Sequence, residues 1–308
     1  MNEYAPGLHK FVQHLDHIQK MKDGKIVAPI HVSIWPTIRC NFNCSYCCCR
    51  NSNRTDPDLD FDSYSNAIDV LAKYGTKAIE FSGGGEPLMW TDFPNAVHYA
   101  FNKGLKVSLI TNGSYLLLTP LETLKKLSWL RVSVQSQKHA ESIDWERLKG
   151  IKTSASYIVP SNNHSFQNTL ANIINVLPEG IPLRVAVQRP CPDSFRDEVS
   201  EAVNNLKGTA FFSEKDSGKP LGCYMAWIRA AIDWRGNFLP CPSIQLNEEC
   251  EGEIPKKFIL CHIDDLEEWL LKNPAHDLGF ACNYCNCGKE NNDFYHKVIT
   301  MVGDYEFV

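Results

Sequence analysis

From about residue 30 to residue 190, short apolar runs alternate with stretches of helical periodicity. Ahead of them, Leu8, Phe11, Val12, Leu15, Ile18 and Met21 recur at helical spacing and predict an amphipathic helix packed on the main domain. His9, His14 and His17 lie along that helix and read as surface or core-edge residues rather than ligands. Ile30-His31-Val32-Ser33-Ile34-Trp35 alternates apolar and polar, as a strand does. Strands are predicted at 30–35, 77–82, 105–110, 130–135, 154–159 and 182–187, with helices at 62–74, 92–103, 119–127, 139–149 and 165–177. Asp60 or Asp62, Thr91-Asp92 and Thr119-Pro120 supply helix start signals. Six strands separated by five helices imply right-handed β-α-β crossovers, a parallel sheet and an α/β fold. In such sheets the active site lies beyond the carboxyl ends of the strands. A helical pattern resumes at 195–206, and the polar, breaker-rich stretch from Ser213 to Pro220 marks a boundary. The chain divides accordingly into an N-terminal helical segment (1–29), a main α/β domain (30–212) and a small C-terminal module (213–308). The module has one clear helix, 264–272, and too little apolar periodicity to hold itself without a metal staple.

Composition adds little until the cysteines are counted. The chain of 308 residues is 44% hydrophobic and 22% charged, enough for a sizeable core. Its net charge is −5 with no stripe of Lys or Arg, which disfavours polymeric nucleic acid as a partner. No apolar stretch approaches the ~20 residues of a membrane span. The start, Met1-Asn2-Glu3-Tyr4, lacks the features of a signal peptide, so a cytoplasmic protein is expected. The thirteen cysteines fall in two clumps, at 40–49 and 223–287, with Cys191 alone between them. In a reducing compartment such clumps point to a metal or cluster rather than to disulfides.

Cys40, Cys44 and Cys47 have the spacing C-x-x-x-C-x-x-C, just after the first strand. A four-iron cluster ordinarily takes four cysteines, so three leave one iron open for another ligand. Zinc would favour four ligands in C-x-x-C pairs. With Tyr46 just before the third cysteine, the motif resembles that of the radical S-adenosylmethionine (radical SAM) superfamily. Ser82-Gly83-Gly84-Gly85-Glu86-Pro87 ends the second strand. It is no P-loop, since no Lys-Ser/Thr follows. It matches the superfamily's Gly-Gly-Glu motif, and the resemblance implies that Glu86 and backbone groups of Gly84 and Gly85 contact the amino group of SAM. Thr111-Asn112-Gly113, at the end of strand three, resembles a stretch common beside the SAM site. Ser133 and Gln135 are polar at period two on strand four and are candidates for the SAM ribose or carboxylate, the alternative being polar filling of a barrel mouth. Arg189 is a candidate to pair bidentately with a carboxylate, or else a surface arginine.

In the C-terminal module, Cys223 is followed by Gly236 and Cys241, and Ala230 to Pro240 reads as a hairpin turning at Arg235-Gly236-Asn237. Cys282, Cys285 and Cys287 then form C-x-x-C-x-C. This resembles the SPASM/twitch extension of radical SAM enzymes, which carries auxiliary iron–sulfur clusters. The absence of any later cysteine argues for twitch, with one cluster on Cys223, Cys241, Cys282 and either Cys285 or Cys287. Zinc on the same thiolates is the alternative. Cys48 and Cys49 directly follow Cys47 and are left out of the ligand set, and Cys250 and Cys261, in a hydrophilic loop region, read as buried or idle thiols, the alternative being that one is a spare ligand.

The resemblance implies a partial (β/α)6 barrel with a small twitch-like cluster-binding domain. It implies a SAM-binding 4Fe–4S cluster, SAM, one auxiliary 4Fe–4S cluster and a reductant such as flavodoxin or ferredoxin. Reductive cleavage of SAM gives a 5′-deoxyadenosyl radical, which abstracts hydrogen from a substrate that is then oxidised, epimerised or rearranged. Candidate substrates are a small molecule, a modified nucleotide or a peptide. The roughly thirty residues before the first strand are too few for a leader-binding domain, which tilts the expectation away from a peptide. Cys191, in Gln188-Arg189-Pro190-Cys191-Pro192, sits where substrate is expected and is a candidate hydrogen donor; the plainer reading is a small apolar side chain. The alternative from another class is a non-catalytic iron–sulfur protein for electron transfer or sensing, which would need no Gly-Gly-Glu motif.

Overall fold

The computed structural model describes residues 8–161, 163, 165–188, 190–206, 210–213, 221–246, 250, 253–279, 282, 285, 291, 292, 294, 298 and 299. A 3-10 segment, Leu8–His14, leads into helix α1 (Leu15–Lys22). The chain then alternates β1 (His31–Ile34), α2 (Phe61–Lys73), β2 (Ala78–Phe81), α3 (Phe93–Asn102), β3 (Lys106–Thr111), α4 (Leu121–Leu124), β4 (Leu127–Ser133) and α5 (Gln137–Glu141). It continues through β5 (Thr153–Val159), α6 (Phe166–Val176), β6 (Leu183–Val187), α7 (Asp193–Asn204) and β7 (Ala210–Phe212). The last elements are β8 (Arg229–Ile232), β9 (Asn237–Leu239), β10 (Cys261–His262) and α8 (Leu266–Lys272).

The ten strands among the described residues form one sheet in the order β10-β9-β8-β1-β2-β3-β4-β5-β6-β7. The pairs from β8 through β1 to β7 are parallel, and β8-β9-β10 turn back antiparallel. Four expectations need correction. Strand β4 begins at Leu127, inside the range expected to be helical, so the helix expected at 119–127 shrinks to α4. The expected helix at 139–149 breaks into α5 and a 3-10 turn at Glu146–Leu148. A seventh parallel strand, β7, follows α7. Finally, Cys261 lies in strand β10, paired with Phe238, and not in a loop. The 229–239 hairpin turns where expected, yet it hydrogen-bonds to β1 and continues the main sheet. The breaker-rich stretch at 214–220 lies outside the described residues.

Each strand sorts its residues by face. Val32, Ile34, Ile79, Phe81, Val107, Leu109, Leu130, Val132, Ala155, Leu183, Val185 and Ala230 are fully buried in the core shared with the helices. The other face carries Ser33, Glu80, Ser108, Arg131, Ser133, Ser154, Ser156, Arg184 and Arg229, matched across the sheet by the strand register. Buried parallel sheets are ordinarily apolar on both faces. A polar face is stable only if it lines a hydrated space or a site. The sheet curls to enclose that face, because Arg184 on β6 lies within electrostatic reach of Arg229 on β8 and Glu80 on β2. The result is an open barrel with helices outside and a polar lumen inside. No helix among the described residues is long and apolar enough to cross a membrane.

Candidate active site and cluster-binding cysteines

Beyond the carboxyl end of β1 the chain runs through Trp35 to Arg39 and enters the cysteine loop. This approach segment is stitched to the glycine run that ends β2: the Ser82 N–H donates to Ile34 O at 2.9 Å, Gly85 N–H to Thr37 O at 2.7 Å and Glu86 N–H to Arg39 O at 2.8 Å. The contact is so close that side chains are excluded. A Cβ on Gly84 would stand 2.6 Å from Thr37 O, and one on Gly85 would stand 1.9 Å from Arg39 O. Gly83 and Gly84 also have positive φ, of 54° and 59°, which glycine adopts without strain. The glycines therefore fix the approach to Cys40, and the Gly85 N–H is engaged by Thr37 O, which leaves carbonyl groups of Gly84 and Gly85 as the backbone groups able to accept from an amino group.

Glu86 is almost fully buried, at 2% exposure. Its Oε1 accepts from Thr111 Oγ1 at 2.5 Å and Leu88 N–H at 3.2 Å, and its Oε2 accepts from Asn112 N–H at 2.7 Å. Burial raises its pKa and the three donors oppose the rise. A carboxylate offers about four lone-pair positions, so one remains for a ligand ammonium. Asn112 turns the other way: its Nδ2 reaches Asn41 Oδ1 at 2.9 Å and lies 3.9 Å from the Cys40 sulfur. Ser133 meets Ser156 across the lumen face at 3.4 Å. Gln135, two residues further along the same face, points its Nε2 at the Cys44 sulfur, 2.7 Å away. Tyr46 also hydrogen-bonds Cys44, and burial lifts the phenol well above its usual range.

The three motif sulfurs are held differently. Cys40 and Cys44 each sit beside side-chain amide donors and are pushed up in pKa chiefly by burial. Cys47 faces Cys48 and Cys49, whose thiols donate to it and favour its thiolate form, with Arg54 Nη2 at 4.0 Å. Among the described residues no three Cys, His, Asp or Glu side chains converge on one point. The donor chemistry still fits an iron–sulfur cluster: three thiols on one loop, with amide N–H groups and a guanidinium beside them, are what stabilise cluster sulfur.

Sequence reasoning missed the residues that clamp this loop. Arg39, next to Cys40, forks onto Asp58 and donates to Met89 O at 2.9 Å. Arg54 Nη1 holds Ile38 O at 2.8 Å. His139 bonds Asn112 O through Nε2 at 2.9 Å and packs on Phe42. Asp56, after the loop, accepts from Trp234 Nε1 at 3.0 Å and Arg235 Nη2 at 2.7 Å, latching the loop to the hairpin turn. Each of these pairs is far apart in sequence, and no local motif marks them.

In the C-terminal module, Cys223 lies within electrostatic reach of Cys282 and Cys285, and burial pushes its thiol up to about 12. Cys241 and Cys282 pack with Cys47, Cys49 and Cys250 around Trp35, Ile38, Trp234 and Leu239, so the two cysteine clumps share one small apolar core. Cys191 is half-buried against the main core, between β6 and α7. Arg189 and Cys287 lie outside the described residues.

Residues 34–188 match the family model described as the radical SAM superfamily. The chain belongs to this superfamily. Radical SAM enzymes use a 4Fe–4S cluster and SAM, and the matched stretch contains Cys40, Cys44, Cys47 and Gly83 to Glu86. A relative named S-adenosylmethionine-dependent nucleotide dehydratase, from Selenomonas ruminantium, is 30% identical over 158 residues, covering 46% of this chain. The chain spans 57% of that relative's length and 35–38% of the next two curated relatives. Among solved structures, Streptococcus suis SuiB bound to the precursor peptide SuiA aligns with a TM-score of 0.56 at 15% identity, over 92% of this chain and 83% of that one. Native anSMEcpe with bound AdoMet and Cp18Cys peptide gives 0.56 at 15%, over 90% and 84%. These likenesses establish the radical SAM fold.

Proposed function

We propose that this protein cleaves SAM reductively and directs the resulting radical at a small-molecule substrate, a modified nucleotide being the favoured class. The observation that carries the reading is the stitching of Gly85 and Glu86 to Thr37 and Arg39, which joins the cysteine loop, the acidic motif and Asn112 in one place. The nucleotide dehydratase relative supports the substrate class.

On this reading Cys40, Cys44 and Cys47 hold the catalytic cluster. When bound, a reduced cluster would supply one electron to the SAM sulfonium, and the cleavage would supply a 5′-deoxyadenosyl radical able to take a hydrogen atom from a substrate C–H. The chain's residues position and shield. Glu86 offers its remaining lone pair to the methionine ammonium, while Thr111, Leu88 and Asn112 hold its carboxylate still. Gln135 and Tyr46 donate toward Cys44, and Asn112 toward Cys40, which steadies the loop and disperses sulfur charge. Ser133 lines the lumen wall below them. The module from 213 onward holds an auxiliary cluster on Cys223, Cys241, Cys282 and Cys285 or Cys287, supported by the approach of Cys223 to Cys282 and Cys285. Cys191 is retained as a candidate hydrogen donor, and a low-potential protein such as flavodoxin or ferredoxin supplies electrons.

Anaerobically reconstituted protein is expected to hold about eight irons per chain, from two four-iron clusters. Replacing Cys40, Cys44 and Cys47 together by Ala leaves about four and abolishes 5′-deoxyadenosine formation. A triple variant that still makes 5′-deoxyadenosine would overturn the assignment.

A further inference from the structure

The groups that approach the loop sulfurs differ in kind. Gln135 and Asn112 reach Cys44 and Cys40 with neutral amides. Arg54 reaches Cys47 with a full positive charge, since a guanidinium stays protonated at any working pH. The chain brings it there by folding back after the loop: Arg50 N–H donates to Cys47 O at 3.1 Å and Ser52 N–H to Cys49 O at 3.2 Å. Arg54 Nη1 is then anchored on Ile38 O at 2.8 Å, ahead of the first cysteine, while Nη2 stands 4.0 Å from the sulfur of the third. The half-buried guanidinium thus bridges the two ends of the loop and lies within electrostatic reach of Cys40 as well. At 4.0 Å a hydrogen bond is long, so the action on sulfur is chiefly Coulombic, which falls only as the inverse of distance. The carboxylates that follow in sequence are committed elsewhere, Asp56 to Trp234 and Arg235 and Asp58 to Arg39. No carboxylate among the described residues lies within ion-pair distance of Arg54. Glu86 acts on Cys40 in the opposite sense, whereas the chief influences on Cys47 are its cysteine neighbours, burial and Arg54.

We propose that Arg54 sets the reduction potential of the cluster held by Cys40, Cys44 and Cys47, keeping it within reach of a flavodoxin- or ferredoxin-class donor. Reduction moves one electron from the donor to the cluster; the donor is oxidised by one electron, and no bond forms or breaks. The cluster gains one negative charge, and a fixed cation beside a ligand sulfur favours that more negative form, which raises the potential. The same charge makes the later passage of the electron to the SAM sulfonium less downhill. Arg54 therefore eases loading of the electron and moderates the drive to pass it on. It acts through the sulfurs of Cys47 and Cys40, as a positioning residue whose contribution is a held charge. The anchor on Ile38 O is what holds that charge still: without it a long, half-buried side chain would swing into water, where screening would remove most of its effect.

This inference rests on the reading that the three loop cysteines hold the catalytic cluster, and its test keeps the two separable. Full-length wild-type, Arg54→Gln, Arg54→Met and Arg54→Lys proteins are reconstituted anaerobically, and each is titrated electrochemically while the electron paramagnetic resonance signal of the reduced clusters is followed. The signal that disappears when Cys40, Cys44 and Cys47 are replaced together by Ala reports the loop cluster. Arg54→Gln and Arg54→Met should each lower its potential by at least a threefold change in the ratio of reduced to oxidised cluster, about 28 mV for one electron. Arg54→Lys should stay within threefold of wild type. Glutamine can still donate to Ile38 O, so it separates the charge from the clamp, and a purely structural arginine would move iron content and apoprotein melting but not the potential. A neutral variant whose loop cluster stays within threefold of wild type overturns the proposal, as does a lysine variant that falls by more. If neither neutral variant takes up iron at the loop, the lysine variant decides by the same threshold. A triple alanine variant that keeps every signal overturns the cluster assignment and the role of Arg54 with it. A signal lost there, with the potential unchanged in the neutral Arg54 variants, overturns the role of Arg54 alone.

Discussion

Replacing Gly85 by alanine isolates what the glycine run does. Gly85 does not have a positive φ, so alanine is allowed there by its own backbone, and the damage must come from contact. The added methyl would stand 1.9 Å from Arg39 O, about 1.5 Å short of ordinary contact, and 2.6 Å from the Ile38 carbonyl carbon. All the atoms met are backbone, so relief requires the two segments to part. Parting stretches the Gly85–Thr37 and Glu86–Arg39 hydrogen bonds and carries the residue before Cys40 with it. Overpacking costs about 1–3 kcal/mol, and two weakened hydrogen bonds add about 0.5–1.5 kcal/mol each. A loss of roughly 2–6 kcal/mol lowers the melting temperature of a large domain by on the order of 5–20 °C. Three readouts apply to the Gly85→Ala protein: thermal melting of the apoprotein, iron content after reconstitution, and SAM affinity. The melt should fall, SAM binding should weaken at least tenfold, and the catalytic cluster should be lost in preference to the auxiliary one. Gly104→Ala is the control. Gly104 has φ +80° with nothing within 4 Å of the added carbon, so the change adds only local strain of about 1–2 kcal/mol and should leave iron and SAM binding intact. A Gly85→Ala protein that melts and binds SAM like wild type would show that close approach of the two segments does not position the site.

Glu86→Gln should weaken SAM binding without removing iron, because the amide loses the charge that pairs with the methionine ammonium, an interaction of about 1.5–3 kcal/mol. Unchanged affinity would leave Glu86 as the brace between Thr111, Leu88 and Asn112 and nothing more. Cys191→Ala should retain both clusters and SAM cleavage. Loss or oxidative diversion of product, with one solvent deuterium on carbon in the wild-type product, would make Cys191 the hydrogen donor, and full turnover would dismiss it. Burial, reinforced by Arg229, drives the His31 imidazole down to about 4 against the opposing pull of Glu80. The unfolded chain then takes up the proton first, so this contribution to stability is complete above about pH 6.5 and declines as pH falls toward 4. Melting of the apoprotein between those limits should be less pH-dependent in His31→Gln; superimposable profiles would refute the burial argument.

Much of this architecture is visible in local pattern. The apolar runs at 77–82, 105–110, 154–159 and 182–187 coincide with β2, β3, β5 and β6 to within a residue. Strand β4 starts earlier than its pattern suggests because Leu127-Ser128-Trp129 continues the apolar spacing of α4, so local sequence does not separate the end of one from the start of the other. The three residues of β7 are too few for periodicity to register. The cysteine triplet and the glycine run are recognisable as motifs, but the reason for the glycines is not: packing against Thr37 and Arg39 is tertiary. Arg39–Asp58 and Asp56–Arg235 are pairings across distance and leave no local trace. The polar lumen leaves one. The alternation that singles out Ser133 and Gln135 passes through Arg131, and the same count on β2, β6 and β8 leads to Glu80, Arg184 and Arg229.

The pairing of β1 with β8 bears on how the molecule is made. The strand that launches the cysteine loop takes as its neighbour a segment, Arg229–Ile232, that leaves the ribosome nearly two hundred residues after it. At about 5–20 residues per second, that interval is on the order of 10–40 seconds. Throughout it, one edge of β1 is bare and the latch from Asp56 to Trp234 and Arg235 has no counterpart to close on. The cysteine loop, which on the proposed reading holds the catalytic iron, is thus the last part of the barrel to be sealed. On that reading iron would have an access window during synthesis, and a chain truncated before the hairpin would keep Cys40, Cys44 and Cys47 while losing the wall behind them.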